Sequence, residues 1–255
     1  MFSGNFSVSS GSVFIISLVS CLTTTAAQAD TVFGIYATAE YWHASMDGQV
    51  SSGGNEFFSS LEESPESEAQ NVLSLRLEHP IPVIPNILVR QNNIEFNDSA
   101  QLNNNTQLGI ANFGTGTIDY DFDFSHTDLA LYYEILDNWL NLDLGIAVKD
   151  LQFSYAVQQN NQIYRYEDDS TVPMLYARAA VELPFTGWEV EGITQAVSFK
   201  DDSIHDLSLQ LKYNINDWFA LAGGYRAINI DVNADGLDRS EVDIKGAQVN
   251  LTAHF

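Results

Sequence analysis

The alternation of apolar and polar residues with a period of two constrains this chain more than any other feature. Within residues 140–149, one face of an extended strand carries three Leu, one Ile and one Val, and the other carries Asn, Asp, Gly, Ala and Lys. The same pattern returns in 73–78, 175–182 and 207–214. Isolated charges among Gly and Ala suit a narrow polar lumen. The alternation therefore predicts a transmembrane antiparallel up-and-down β-barrel, with apolar residues facing lipid and polar residues facing inward.

Ten segments carry this pattern, which predicts an all-β barrel of ten strands. They cover residues 31–44, 70–79, 86–95, 120–135, 139–150, 172–183, 188–199, 205–215, 218–230 and 243–255. Long connections are expected at 45–69, 96–119, 151–171 and 231–242, and short turns join the strands at the opposite end. Two segments are irregular: 188–199 has a mixed face, and 120–135 changes phase, which a bulge near 125–127 would reconcile. Eight strands is the alternative.

The N-terminus has the pattern of a secretory signal peptide. Residues 1–29 carry no charged side chain, and a short apolar core at 13–19 precedes Ala27-Gln28-Ala29. A small-x-small ending of this kind predicts cleavage before Asp30, which leaves 30–255 as an outer-membrane β-barrel domain. An uncleaved N-terminal anchor and lipidation of Cys21 remain alternatives.

Charge and composition exclude several classes of protein. The formal net charge is −24, from 34 Asp and Glu against 10 Lys and Arg, so binding to nucleic acid is excluded on electrostatic grounds. A hydrophobic content of 45% is too high for a disordered chain. The single cysteine cannot build a disulfide framework.

The inward-facing positions contain as many basic as acidic residues. We predict that they form a network of ion pairs that closes the lumen, because an unpaired charge in a narrow lumen is costly. The network comprises Glu40, Arg76, Glu78, Arg90, Asp128, Glu134, Asp143, Lys149, Arg178, Glu182, Lys212 and Arg226. On this count the whole net charge lies on loops and turns. A narrow channel for small polar solutes is the alternative.

Aromatic residues recur at one position along the predicted strands. Trp139, Trp188 and Trp218 each begin a strand directly after a short turn, where an indole would lie at the lipid–water interface. Phe255 ends the chain on the predicted lipid face. A terminal aromatic residue of this kind resembles the signal that the outer-membrane insertion machinery recognises.

Several motifs together resemble an uncharacterised family of small outer-membrane β-barrel proteins of Gram-negative bacteria. The motifs are DTVFGIY at 30–36, HTDLALYYEILDN at 126–138, LPFTG at 183–187, GYR at 224–226 and HF at 254–255. The resemblance covers essentially the whole chain after the signal peptide and implies the barrel fold and an outer-membrane location. It implies no reaction, ligand or catalytic residue.

Two constellations of residues suggest chemistry. Asp231, Asn233 and Asp235, with Gly at the sixth position, match the first half of a calcium loop, but Val242 stands where the bidentate Glu belongs. An acidic hairpin tip is the favoured interpretation, and weak calcium binding is a hypothesis. His and Asp residues near the outer strand ends are the candidates for a rim enzyme, namely His126, Asp128, Asp201, Asp202, His205 and Asp206. Adjacent His205 and Asp206 should point to opposite faces, so no dyad is expected.

The sequence therefore predicts a monomeric barrel without enzymatic activity or cofactor and with a structural or surface-interaction role. Its expected partners are outer-membrane lipid, lipopolysaccharide and the insertion machinery. Acidic loops would repel lipopolysaccharide phosphates unless divalent cations bridge the two.

Overall fold

The computed structural model describes residues 33–52, 55–56, 67–108, 111–232 and 239–255. The predicted signal peptide, Cys21 and two candidate calcium ligands, Asn233 and Asp235, lie outside the described residues. Within the described ranges, no helix is long and apolar enough to cross a bilayer.

The described residues form fifteen strands. In chain order they are β1 (Gly34–Ser52), β2 (Asn55–Glu56), β3 (Glu68–Glu78), β4 (Asn86–Asn93), β5 (Glu95–Leu102), β6 (Thr106–Leu108), β7 (Ala111–Phe113), β8 (Gly116–Asp123), β9 (His126–Leu136), β10 (Leu140–Gln159), β11 (Gln162–Leu183), β12 (Trp188–Phe199), β13 (Asp202–Asn214), β14 (Phe219–Val232) and β15 (Arg239–His254).

Ten of these strands close into an antiparallel barrel. The order around it is β11-β12-β13-β14-β15-β1-β3-β4-β9-β10, and the pairing of β10 with β11 completes the circle. The first and last strands are neighbours: Ile35 and Phe255 exchange backbone hydrogen bonds of 3.0 and 2.9 Å. The prediction of ten strands is confirmed, and the alternative of eight is wrong.

The irregular segment 120–135 is two strands and not one bulged strand. β8 ends at Asp123 and β9 begins at His126, so the chain leaves one hairpin and enters the barrel wall there. Tyr120 and Phe122 are buried on the same parity as Asp128. The apparent change of phase arises because apolar residues face inward at the outer end of the molecule, whereas they face outward lower on the barrel.

An apolar belt surrounds the barrel on its outward face. On β13, Leu207, Leu209 and Leu211 are each 44–58% exposed and alternate with buried polar residues. The three tryptophans lie at the short-turn end of the belt and are also exposed, at 64% for Trp139, 41% for Trp188 and 58% for Trp218, as is Phe255 at 63%. This arrangement matches the outward face expected for strands in a bilayer.

Much of the chain assigned to long loops consists of strands that project beyond the belt. β10 and β11 continue to a tight turn at Asn160, whose positive φ of 53° is one that Asn tolerates well. The β5–β8 hairpin adds to this extension through β8, which gives an outer sheet of four strands in the order β5-β8-β10-β11. The predicted loops 96–119 and 151–171 are therefore mostly sheet.

Apolar side chains fill the outer part of the barrel interior. We call this group the apolar plug, and it consists of Met46, Met174, Ile204, Ile228, Ile230, Val242 and Ile244, each at most 7% exposed. Aromatic residues beneath the outer sheet continue the same cluster. The plug lies between the outer sheet and the charged part of the lumen.

Candidate functional site

A group of ionised side chains from six strands lies next to the apolar plug, on the side away from the outer sheet. This outer ion cluster consists of Glu40, Arg90, Asp128, Lys149, Asp206 and Arg226. Strand alternation places each of them on the inner face, and the barrel closure brings β4, β9 and β10 opposite β13 and β14. The cluster ties both sides of the barrel together across the lumen.

Two carboxylates form the centre of the outer ion cluster. Asp206 accepts hydrogen bonds from Arg226, at 3.0 Å from Nε and 2.8 Å from Nη2, and from Arg90 Nη2 at 2.8 Å. Asp128 accepts from Lys149 Nζ at 2.7 Å and from Arg90 Nε at 2.9 Å. Each carboxylate thus faces at least two cations, which compensates for removal of the charges from water.

Trp42 supports Arg226 from one side. The guanidinium carbon of Arg226 lies 4.9 Å from the centre of the buried Trp42 ring, and the indole Nε1 donates to the carbonyl of Gly246 at 3.2 Å. A Cβ atom at position 246 would lie 1.9 Å from the backbone oxygen of His43. Glycine at this position therefore allows β15 and β1 to approach closely beside the cluster.

A second group, the inner ion cluster, lies nearer the short-turn end. It consists of Asp143, Arg178, Glu189, Glu191 and Lys212. Arg178 donates to Asp143 at 3.0 Å and to Glu191, and Lys212 Nζ lies 2.7 Å from Glu189 Oε1. Gln210 also donates to Glu191. These contacts hold β10, β11, β12 and β13 together from the inside.

Most residues of the predicted network belong to the outer or the inner ion cluster. Ten of the twelve make ion pairs, with Arg76 and Glu78 forming a separate pair of 3.4 Å. Glu134 and Glu182 have no ion pair within the described part of the chain, and Glu182 is exposed.

The sequence analysis missed three acidic members. Asp206 was assigned to the rim, and the mixed face of 188–199 obscured Glu189 and Glu191. All three are at most 4% exposed and pair with cations. The parity of Asp206 with Ser208 and Gln210 was the available signal. The predicted balance of charges is therefore wrong, because inward-facing carboxylates outnumber the cations and part of the net charge lies in the lumen.

The rim residues divide between the two faces of the barrel wall. Asp206 is buried in the outer ion cluster, whereas neighbouring His205 is exposed on the opposite face, as strand alternation requires. His126 is fully buried; its Nδ1 donates to the carbonyl of Phe124 at 3.0 Å, and its Nε2 lies 3.8 Å from Asp128.

Among the described residues, His126, Asp128 and Asp206 have ligand atoms within 4.8 Å of one another, which is close enough to hold a metal ion. Their carboxylates already accept from Arg90, Lys149 and Arg226. A divalent cation would have to displace buried positive charges, so the donor set does not fit a metal.

Asp231, the described member of the calcium hypothesis, lies at the outer end of β14, opposite Glu241 on β15. Asn229 and Asp243 form the next pair on the same face, with a hydrogen bond of 2.6 Å. Calcium binding stays a prediction, because the other two proposed ligands lie outside the described residues.

The short-turn end of the lumen contains an open chamber of about 440 Å³. Arg76 and Lys212 line it together with Glu134 and Asp143. A narrower cavity of about 140 Å³ leads deeper, toward Tyr176 and other polar side chains. The chamber is thus a polar space at the short-turn end of the barrel, and members of the inner ion cluster form part of its lining.

No protein-family model and no curated protein matches this sequence. The outer-membrane protease OmpT from Escherichia coli is similar in structure, with a TM-score of 0.58 and 11% identity over 88% of this chain and 98% of OmpT. Ail from Yersinia pestis aligns at a TM-score of 0.33 with 9% identity, over 88% of this chain and 99% of Ail. Neisserial surface protein A aligns at a TM-score of 0.32 with 11% identity, over 87% and 97% of the two chains. The similarity to OmpT shows that this chain has the fold of outer-membrane β-barrel proteins.

Proposed function

We propose that this chain is an outer-membrane β-barrel of a Gram-negative bacterium with a closed lumen and a structural or surface-interaction role. In such barrels the short turns face the periplasm and the longer segments face outward. That orientation places the chamber on the periplasmic side and the outer sheet on the cell surface. The proposed partners are outer-membrane lipid, lipopolysaccharide and, through Phe255, the insertion machinery.

The observation that carries the closed lumen is the apolar plug above the outer ion cluster. Ile228, Ile244 and Met46 are at most 1% exposed, and Arg226 beneath them is also 1% exposed. A hydrated path would have to pass packed apolar side chains and then paired charges. Interiors of this density leave few voids as large as a water molecule.

Single-channel recording in planar bilayers tests this proposal. We expect no steady conductance from the purified barrel, with a boiled-versus-unboiled gel shift as the check that the protein is folded. A steady step in the nanosiemens range would contradict the closed lumen and favour a channel for small polar solutes.

The exposed face of the outer sheet supports a surface-interaction role. One row of residues across the four strands of this sheet is Glu95, Asp123, Ser154 and Glu167. Three of these four residues are acidic. Asp119 and Asp121 lie on the same face of β8 and are exposed. The opposite face packs into the hydrophobic core. The surface presented outward is therefore acidic and built on regular strands.

Adherence of intact cells can test the role of this face. We expect cells that display the native protein to adhere to a surface coated with a basic polypeptide more strongly than cells with D119N/D121N/D123N. Equal adherence at equal surface density of the two proteins would contradict a role for the acidic face.

The free edge of the outer sheet supports a monomer. The side chain of Gln70 donates to the carbonyl of Glu95 at 2.8 Å and accepts from its N–H at 3.0 Å, and Glu68 accepts from the N–H of Asn97 at 2.9 Å. Side chains thus occupy backbone groups with which a second copy would pair.

The proposal includes no enzymatic activity, because the buried carboxylates are engaged by cations and His205 lies on the other face. Hydrolysis of peptides or lipid A that is lost on changing His126 or His205 would contradict it.

A further inference from the structure

The chamber at the short-turn end is lined by members of the inner ion cluster and by further charged groups that are incompletely paired. Arg76 from β3 and Glu134 from β9 both line it. Its volume of about 440 Å³ is in the range of small-molecule sites. The chamber opens at the end of the barrel that carries the short turns, where Asp137 and Asp217 lie.

Arg76 has unused hydrogen-bond donors. Its guanidinium stacks 4.4 Å above the Tyr36 ring, and its Nε lies 3.4 Å from Glu78 Oε1. Among the described residues it makes no other ion pair or hydrogen bond, although its side chain is only 15% exposed. By contrast, Arg178 contacts three carboxylates. The two terminal nitrogens of Arg76 form a planar fork that matches a carboxylate.

Glu134 is the complementary group. It is half-buried and makes no hydrogen bond or ion pair with any described residue. Glu78, its acidic neighbour in the chamber, is already engaged by the Tyr132 hydroxyl at 3.0 Å and by Arg76. A free carboxylate in a partly dry site can accept charge-assisted hydrogen bonds from an ammonium group.

Deeper in the cavity, two buried polar atoms lack a hydrogen-bond partner among the described residues. The Tyr176 hydroxyl and Asn250 Oδ1 are buried without a hydrogen bond to described atoms, and the two residues are only 2% and 4% exposed. Both line the narrower cavity together with Arg76. Buried polar atoms of this kind call for a polar occupant.

The chamber suits neither a metal ion nor a simple anion. Its carboxylates are dispersed: within the described chain, the close metal-type group is the one around His126, which lies outside the chamber. A simple anion would satisfy Arg76 but would be repelled by Glu134 and Asp143. A ligand that carries both a negative and a positive charge can pair with Arg76 and Glu134 at the same time.

We propose that the chamber binds a small zwitterion, namely a free amino acid or a short peptide. Its carboxylate pairs with the terminal nitrogens of Arg76, and its ammonium group pairs with Glu134. This inference goes beyond the proposed function, since a barrel that is closed at its outer end can still bind a solute from the short-turn side.

Isothermal titration calorimetry of the folded barrel in detergent micelles tests the proposal. The probes are L-alanine and L-alanyl-L-alanine as zwitterions, propylamine as the ammonium alone, and propionate as the carboxylate alone. Because each charge-assisted contact is strong, we expect at least one zwitterion to bind about tenfold or more tightly than either half-ligand. If neither zwitterion exceeds both half-ligands, the proposal is wrong.

Two variants separate the two contacts. Arg76→Gln should weaken the preferred zwitterion about tenfold and leave propylamine binding unchanged, and Glu134→Gln should weaken both about tenfold. Arg165→Gln and Glu95→Gln, which change exposed residues of the outer sheet, are the matched controls and should bind as the native protein does. The gel shift checks that each variant is folded.

If Arg76→Gln does not fold, Glu134→Gln still decides the test, because Glu134 has no ion pair with a described residue to lose. Unchanged zwitterion affinity in Glu134→Gln would overturn the proposal.

Discussion

The outer ion cluster and the Arg76–Glu134 side of the short-turn chamber use the same residue types inside one barrel, but they differ in how far the charges are paired. In the outer cluster, Asp206 faces Arg90, Lys149 and Arg226 within 3.5 Å. In the chamber, Arg76 has one contact of 3.4 Å and Glu134 has none among the described residues. Completely paired charges can be removed from water, whereas incompletely paired charges need a wet space or a ligand.

Depth in the barrel explains this difference. The outer cluster lies against the apolar plug, and its side chains are largely removed from solvent, so an unpaired charge there would be costly. The chamber opens at the short-turn end, so water can solvate its groups. Charged side chains are therefore fully paired where an unpaired charge would be shielded from water. At the short-turn end, where some charged groups are incompletely paired, a solute can bind with the smallest loss of existing ion pairs.

Removal of the central carboxylate of the outer cluster should have the largest effect. Asp206→Ala leaves Arg90, Lys149 and Arg226 without their shared partner, and we expect the free energy of unfolding to fall by about 3–5 kcal/mol. Urea unfolding of the barrel reconstituted in lipid vesicles, followed by tryptophan fluorescence, measures it. Asp201→Ala, at an exposed turn, is the control and should change it by less than about 0.5 kcal/mol. A loss below about 1 kcal/mol at Asp206 would mean that solvent reaches the cluster.

The apolar plug should be the next most sensitive region. Ile228→Ala leaves a cavity beside Ile244 and Met46, and we expect a loss of about 2–3 kcal/mol, because flexible methionines relax part of the void. The same unfolding measurement applies. Ile146→Ala, on the lipid face, should cost less, since lipid can fill the space. Equal losses at both positions would show that the outer interior is as loosely packed as the lipid boundary.

Much of the barrel could be predicted because one physical rule governs each strand. Leu142 and Asp143 must point to opposite faces, so alternation identified the strands and most of the inward charges. The rule failed where its assumption of apolar outside and polar inside failed. Tyr120 and Phe122 face a buried apolar core beyond the belt, so their parity was misinterpreted.

The pairing of individual charges could not be predicted from the sequence. Which cation Asp206 meets depends on the closure of the barrel, which brings β4 and β10 opposite β13. Arg76 and Arg178 both point inward by strand alternation. Arg76 nevertheless contacts one carboxylate, whereas Arg178 contacts three. Strand alternation specifies only the face of a residue, and the partner across the lumen depends on register and stagger around the circle.

The smallest effect should come from the unpaired acid of the chamber, where the contrast with Asp206 is sharpest. Glu134→Gln removes a carboxylate that has no described partner and that shares the chamber with Glu78 and Asp143. We expect the free energy of unfolding to change by less than about 0.5 kcal/mol, or to rise, because like-charge repulsion is relieved. Asp206→Asn, the same type of change in the outer cluster, is the matched comparison and should be clearly destabilising. If Glu134→Gln lost about 2 kcal/mol or more, Glu134 would belong to a paired network like that around Asp206, and the distinction between the two regions would fail.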